Sequence, residues 1–162
     1  MNQVRLVEEG DAILHRRIAE VTWPKDNAAY WPVVNDLQHD RDAMMTFIQK
    51  HGGVALAANQ VGFDVRMFVL AKIPIFQEVP STFFTCVNPE ILERSGIGVR
   101  GTEYCMNFPD VGFEISRPAR IVFTACTIEG TSFEHTATGD AAREVSQAID
   151  LLDGITLFDI AG

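Results

Sequence analysis

Two helix-patterned segments frame a run of short strand-like stretches, and this order limits the architectures open to the chain. The first, Val33–His51, repeats apolar residues at three-to-four spacing (Val34, Leu37, Met44, Met45, Ile48) and is halted by Gly52–Gly53. The second, Ala141–Leu152, places Ala141, Val145, Ala148 and Leu152 on one face, with Asp140 as the expected N-cap and Gly154 as the stop. Between them, Ala55–Gln60 is a small-residue segment and Val65–Ala71 reads as a buried strand. Pro74–Pro80 reads as a loop, and Phe83–Val87 as a strand ended by Asn88–Pro89. Further strands are expected at Ile97–Val99, Phe113–Ile115 and Arg120–Ile128. A turn at Glu129–Gly130 sends Ser132–Thr136 back as a hairpin partner. Helix, strands and a closing helix predict one α+β domain over residues 1–162.

Charge removes some classes of function. Thirteen Lys and Arg stand against 22 Asp and Glu, a net charge of -9, so no broad basic face is expected to bind nucleic acid. No apolar stretch reaches membrane-spanning length, and residues 1–10 lack the apolar core of a signal peptide. A cytoplasmic location is the expectation. The three cysteines, Cys86, Cys105 and Cys126, have no CxxC spacing, so neither a disulfide framework nor a zinc ribbon is expected. Cys86 and Cys126 read as buried free thiols. None of His15, His39, His51 and His135 forms an HxxxH or HxH pair, and His135 reads as a surface or turn residue.

Three segments, in order, carry the chemistry. Gly53–Gly62 (GVALAANQVG) joins small residues, which let backbone approach a ligand, to the amide of Gln60. Glu103–Pro109 (EYCMNFP) supplies the thiol of Cys105, and Glu144–Phe158 (EVSQAIDLLDGITLF) runs through the second helix. Together they resemble the three motifs of the peptide deformylase family. Asp11–Val21 (DAILHRRIAEV) and Val87–Pro89 with Ile91 are similar to flanking segments of that family, so the likeness covers most of the chain. It implies a peptide-deformylase-like fold, with antiparallel strands packed around the C-terminal motif helix.

The resemblance also implies what is missing. In the family a cysteine and two histidines hold a metal whose bound water, helped by a glutamate, removes the formyl group from N-terminal methionine. Cys105 matches the cysteine. Gln147 and Leu151 stand in place of the histidines, and Ala148 in place of the glutamate. An amide is a poor ligand and an alkyl group is none, so no metal and no cofactor are expected. The three changes together read as adaptation to a metal-free interior. Tyr104 replaces a motif glycine, which predicts a reshaped loop. With Asp153 and Asp159 in the last ten residues, docking on the ribosome through a basic C-terminal extension, as the resemblance implies for some family members, is not expected.

Two classes of function follow. One is a binding pseudoenzyme that holds a peptide or peptide-like ligand through Gly53, Gln60, Cys105, Met106, Gln147 and Leu151, with the Gln60 amide and the Met106 N–H as donors. The other is an enzyme of different, metal-independent chemistry with Cys105 as the catalytic nucleophile.

Overall fold

The computed structural model describes residues 4–72 and 82–161. A 25-residue helix, α1 (Asn27–His51), precedes five antiparallel strands: β1 (Ala55–Ala57), β2 (Met67–Lys72), β3 (Thr82–Cys105), β4 (Phe108–Cys126) and β5 (Ser132–Thr138). Helices α2 (Gly139–Leu152) and α3 (Leu157–Ala161) close the chain. The strands form one sheet in sequential order, β1 to β5. This is the expected α+β class with antiparallel strands around the motif helix.

Strand periodicity explains the layers. Along β2, Met67, Val69 and Ala71 enter one apolar cluster with Met44 and Ile48 of α1. Phe68 enters another, with Phe123 of β4 and Val145, Ala148 and Leu152 of α2. Successive side chains point to opposite faces, so a strand covered on both faces reads as an unbroken apolar run, as MFVLA (Met67–Ala71) does. The sheet therefore lies between α1 and α2.

Several boundaries differ from the sequence reading. Helix α1 begins six residues before Val33, although Pro32 inside it forfeits one backbone hydrogen bond. Tertiary contacts hold these first turns: the Tyr30 hydroxyl donates to the Glu129 carbonyl at 2.8 Å. The expected short strands at 97–99 and 113–115 are parts of β3 and β4, one long hairpin with several register shifts. Asn88–Pro89 does not end a strand but lies at one of these shifts. Asn88 there has φ 52°, and its amide exchanges two 2.8 Å hydrogen bonds with the backbone of Val21. Residues 74–80, expected as a loop, lie outside the described residues.

In α2 the N-cap is Thr138, not Asp140, which sits in the first turn where its charge favours the helix dipole. Ala141 is exposed and Ala142 is buried in its place. The helix does end near Gly154, whose φ is 78° and whose missing Cβ would sit 2.6 Å from the backbone carbonyl carbon of Arg16. Buried Arg66 caps the same end, donating to the Leu152 carbonyl at 3.0 Å and to Asp153 Oδ1 at 2.7 Å.

Candidate functional site

Helix α2, strand β1 and the β3–β4 turn enclose a pocket of about 200 Å³. Its lining brings together all six sequence-selected residues: Gly53, Gln60, Cys105, Met106, Gln147 and Leu151. Gly53 enters with φ 104°, and a Cβ there would press on the Met106 side chain at 3.2 Å, so a larger residue would disturb the rim. Sequence reading missed Glu144 as a site residue. It precedes Ala148 by four residues, hence by about one helical turn, and that spacing was the available signal.

Gln60 lies in the 3₁₀ turn Ala58–Val61 and is committed within the chain. Its Oε1 accepts from the Ala57 N–H at 2.9 Å, while its Nε2 donates to Asn107 Oδ1 at 2.9 Å and to Cys105 Sγ at 3.5 Å. Asn107 Nδ2 in turn donates to the carbonyls of Val7 and Gln60, at 2.9 and 3.0 Å. The amide that the sequence reading assigned to a ligand therefore braces the β3–β4 turn. Both amide hydrogens are already used.

Cys105 ends β3 and is 2% exposed. Burial pushes its thiol pKa up, against the opposing effect of hydrogen bonds from Asn107 and Gln60. The neighbouring carboxylate of Glu103 is turned elsewhere. It accepts two hydrogen bonds from Arg117 and one from Arg143, in an ionic group that also includes Asp150. Cys86 is buried as expected, and Cys126 is only partly so. Tyr104 keeps a negative φ within β3, and its ring lies over Gly112 of β4, so it needs no glycine-like backbone. The hairpin register does shift between Glu103 and Cys105.

The α2 side of the pocket determines what it can hold. Gln147 Nε2 donates to the Tyr104 carbonyl at 3.1 Å. Ala148 and Leu151 are both 2% exposed and pack in the core with Cys105. Beside the thiol there are thus an amide, a methyl group and an isobutyl group. Such a donor set does not fit a three-ligand metal site. Among the described residues no three His, Cys, Asp or Glu side chains converge. His135 is exposed on β5, with its ring against Phe84 and Phe123.

The polypeptide deformylase family model matches residues 4–161. The chain belongs to the peptide deformylase family. A peptide deformylase of Dictyoglomus turgidum is 37% identical over 128 residues, 79% of this chain and 76% of that protein. Peptide deformylase 2 of Streptomyces coelicolor is 37% identical over 145 residues, 90% of this chain and 75% of that protein. Among solved structures, the Thermotoga maritima peptide deformylase superposes with a TM-score of 0.82 at 29% identity, covering 100% of this chain and 99% of that one. A Met-Ala-Ser-bound class I type b peptide deformylase of Acinetobacter baumannii gives 0.79 at 28% identity, with 97% of each chain covered. No described helix of this deformylase-family chain is long and apolar enough to cross a membrane.

Proposed function

We propose that this member of the family is a cytoplasmic pseudoenzyme that has lost the metal site and binds a peptide in the retained cleft without deformylating it. One observation carries the reading: Gln147, Ala148 and Leu151 supply the α2 side of the pocket beside Cys105. Leu151 fills with apolar volume the space where the family resemblance puts a ligand, and Ala148 has no group to move a proton. The pocket itself stays about 200 Å³ in volume, and a relative of the same fold is known with Met-Ala-Ser bound. Use of Cys105 as a nucleophile is disfavoured, because burial raises its pKa and no cation pairs with it among the described residues.

Two measurements test this on the purified protein, expressed so that host deformylase is removed. Release of formate from formyl-Met-Ala-Ser should stay at the buffer blank with and without added iron, nickel or zinc. Calorimetric titration with Met-Ala-Ser and formyl-Met-Ala-Ser should show that at least one binds. Turnover above the blank overturns the loss of activity, and no binding of either peptide overturns the retained cleft.

A further inference from the structure

The polar side chains lining the pocket are unequally committed. Gln60 has spent both amide hydrogens on Asn107 and Cys105. Gln147 has spent a donor on the Tyr104 carbonyl, which fixes the orientation of its amide; its Oε1 has no partner in the chain among the described residues. The Glu144 carboxylate makes neither hydrogen bond nor ion pair among the described residues. The nearest cation in sequence, Arg143, is used elsewhere: Nη1 goes to Glu103 Oε2 and the Ile115 carbonyl, and Nη2 to the Val99 carbonyl. The uncommitted acceptors therefore come from one side of α2, three residues apart and so neighbours on the helix surface. Apolar groups of Val54, Met106, Ala148 and Leu151 also line the pocket.

A half-buried carboxylate with no ion-pair partner is costly to keep ionised, and a cation arriving in the pocket reduces that cost. A neutral formyl group gains little from such a lining, because its carbonyl oxygen needs donors and Glu144 and Gln147 Oε1 offer acceptors. We propose that the pocket takes a ligand with a primary ammonium group on an apolar stem, paired with the Glu144 carboxylate and accepted by Gln147 Oε1. This deepens the peptide-binding reading and rests on it. Burial, with the nearby charges of Glu103 and Asp140, raises the Glu144 pKa, against Arg143 and Arg117; the local field thus already favours a positive ligand. The ammonium has two possible sources in a peptide, a free N-terminus or a lysine side chain.

Calorimetry with three probes separates them: Met-Ala-Ser, formyl-Met-Ala-Ser and formyl-Lys-Ala-Ser. One or both of the ammonium-bearing probes should bind at least about ten-fold more tightly than formyl-Met-Ala-Ser, and the tighter one names the source. Glu144→Gln should abolish that preference by weakening the ammonium-bearing probes towards the affinity of formyl-Met-Ala-Ser. Glu144→Ala, run in parallel with thermal melts of each protein, should lose it as well. Equal affinity for all three probes, or a preference that survives both substitutions, overturns the ammonium assignment and leaves the peptide-binding reading standing. If none of the three binds the parent protein, both fall together.

Discussion

Arg117 of β4 grips Glu103 of β3 through two parallel hydrogen bonds, Nε to Oε2 and Nη2 to Oε1, each 2.9 Å long. Their side chains are 8% and 3% exposed, and Arg117 Nη1 also reaches Asp150 of α2 at 2.6 Å. One guanidinium thus ties both strands of the long hairpin to the motif helix and fixes the pocket wall. Bidentate geometry of this kind suits arginine alone. Arg117→Met should destabilise the fold by about 3–5 kcal/mol, because it leaves Glu103 and Asp150 short of a buried partner. Arg117→Lys should recover only part of the loss. Urea denaturation with a constant slope measures it, and a change under about 1 kcal/mol for Arg117→Met would show the network to be incidental.

Gln60 is expected to act on stability first. Gln60→Ala removes three hydrogen bonds at a buried turn and strands the Ala57 N–H. A loss of roughly 1–3 kcal/mol should appear in denaturation. Gln60→Glu should be worse, since a carboxylate has no hydrogen for Asn107 Oδ1 and would face another acceptor. Full stability in Gln60→Ala, joined to lost peptide binding, would return Gln60 to the ligand-contacting role inferred from sequence.

The legible parts of this protein were those that local pattern fixes. Helix α2 could be read because its apolar face repeats at helical spacing and Gly154 stops it. Strand β2 could be read because both its faces are buried. The continuity of β3 and β4 could not, since bulges, Asn88–Pro89 and interior glycines look like turns when neighbouring strands are unseen. The site divides in the same way. Resemblance to the family's motifs selected six pocket residues, but whether Gln60 has an amide to spare depends on Asn107, 47 positions away. Glu144 went unnoticed as a site residue because its lack of a partner exists only in three dimensions.

The three thiols should react in the order of their exposure. Burial raises the pKa of all three, with Glu20 adding to the effect at Cys126. Cys126 alone is partly exposed. A thiol-specific reagent at neutral pH, read by peptide mass mapping, should therefore modify Cys126 first and leave Cys86 and Cys105 largely untouched. Rapid labelling of Cys105 ahead of Cys126 would revive the nucleophile reading.

The Glu144 carboxyl should leave a pH signature in the unliganded protein. Its folded pKa is raised, chiefly by burial and then by Glu103 of β3 and Asp140 of α2, while Arg143 of α2 and Arg117 of β4 act in the opposite direction. Between the ordinary carboxyl value and the raised one, the folded state binds more protons than the unfolded state. Stability contributed by this group is therefore lost as pH rises through that window. Glu144→Gln, which never ionises, should melt at a higher temperature than the parent at pH 7. The gap should shrink towards zero by about pH 4, where the parent carboxyl is mostly protonated in both states. A gap that does not change between these two pH values would mean that Glu144 is solvated like a surface carboxylate.

Rebuilding the metal site tests how far the fold itself has moved. Gln147→His with Leu151→His would set two imidazoles at i and i+4 on α2, one turn apart and beside Cys105 of β3. Two opposing effects then compete. Leu151 is buried in the core with Cys105 and Ala148, so an unliganded histidine there puts polar nitrogens into an apolar space and should lower the melting temperature. Metal that binds only the folded state reverses this, by about 2.7 kcal/mol at a hundred-fold excess over Kd. The double variant should therefore melt below the parent without metal and gain stability on adding zinc or nickel, with about one ion per chain by elemental analysis. The gain should disappear on adding Cys105→Ser. The parent, with an amide and an alkyl group at those positions, should show no metal-dependent shift. Adding Ala148→Glu supplies the missing proton acceptor, yet Gln147 no longer donates to the Tyr104 carbonyl in that protein. Metal binding should thus return more readily than deformylation. Failure of the double variant to take up metal would show that the cleft has closed around Leu151, and that the change is more than a loss of ligands.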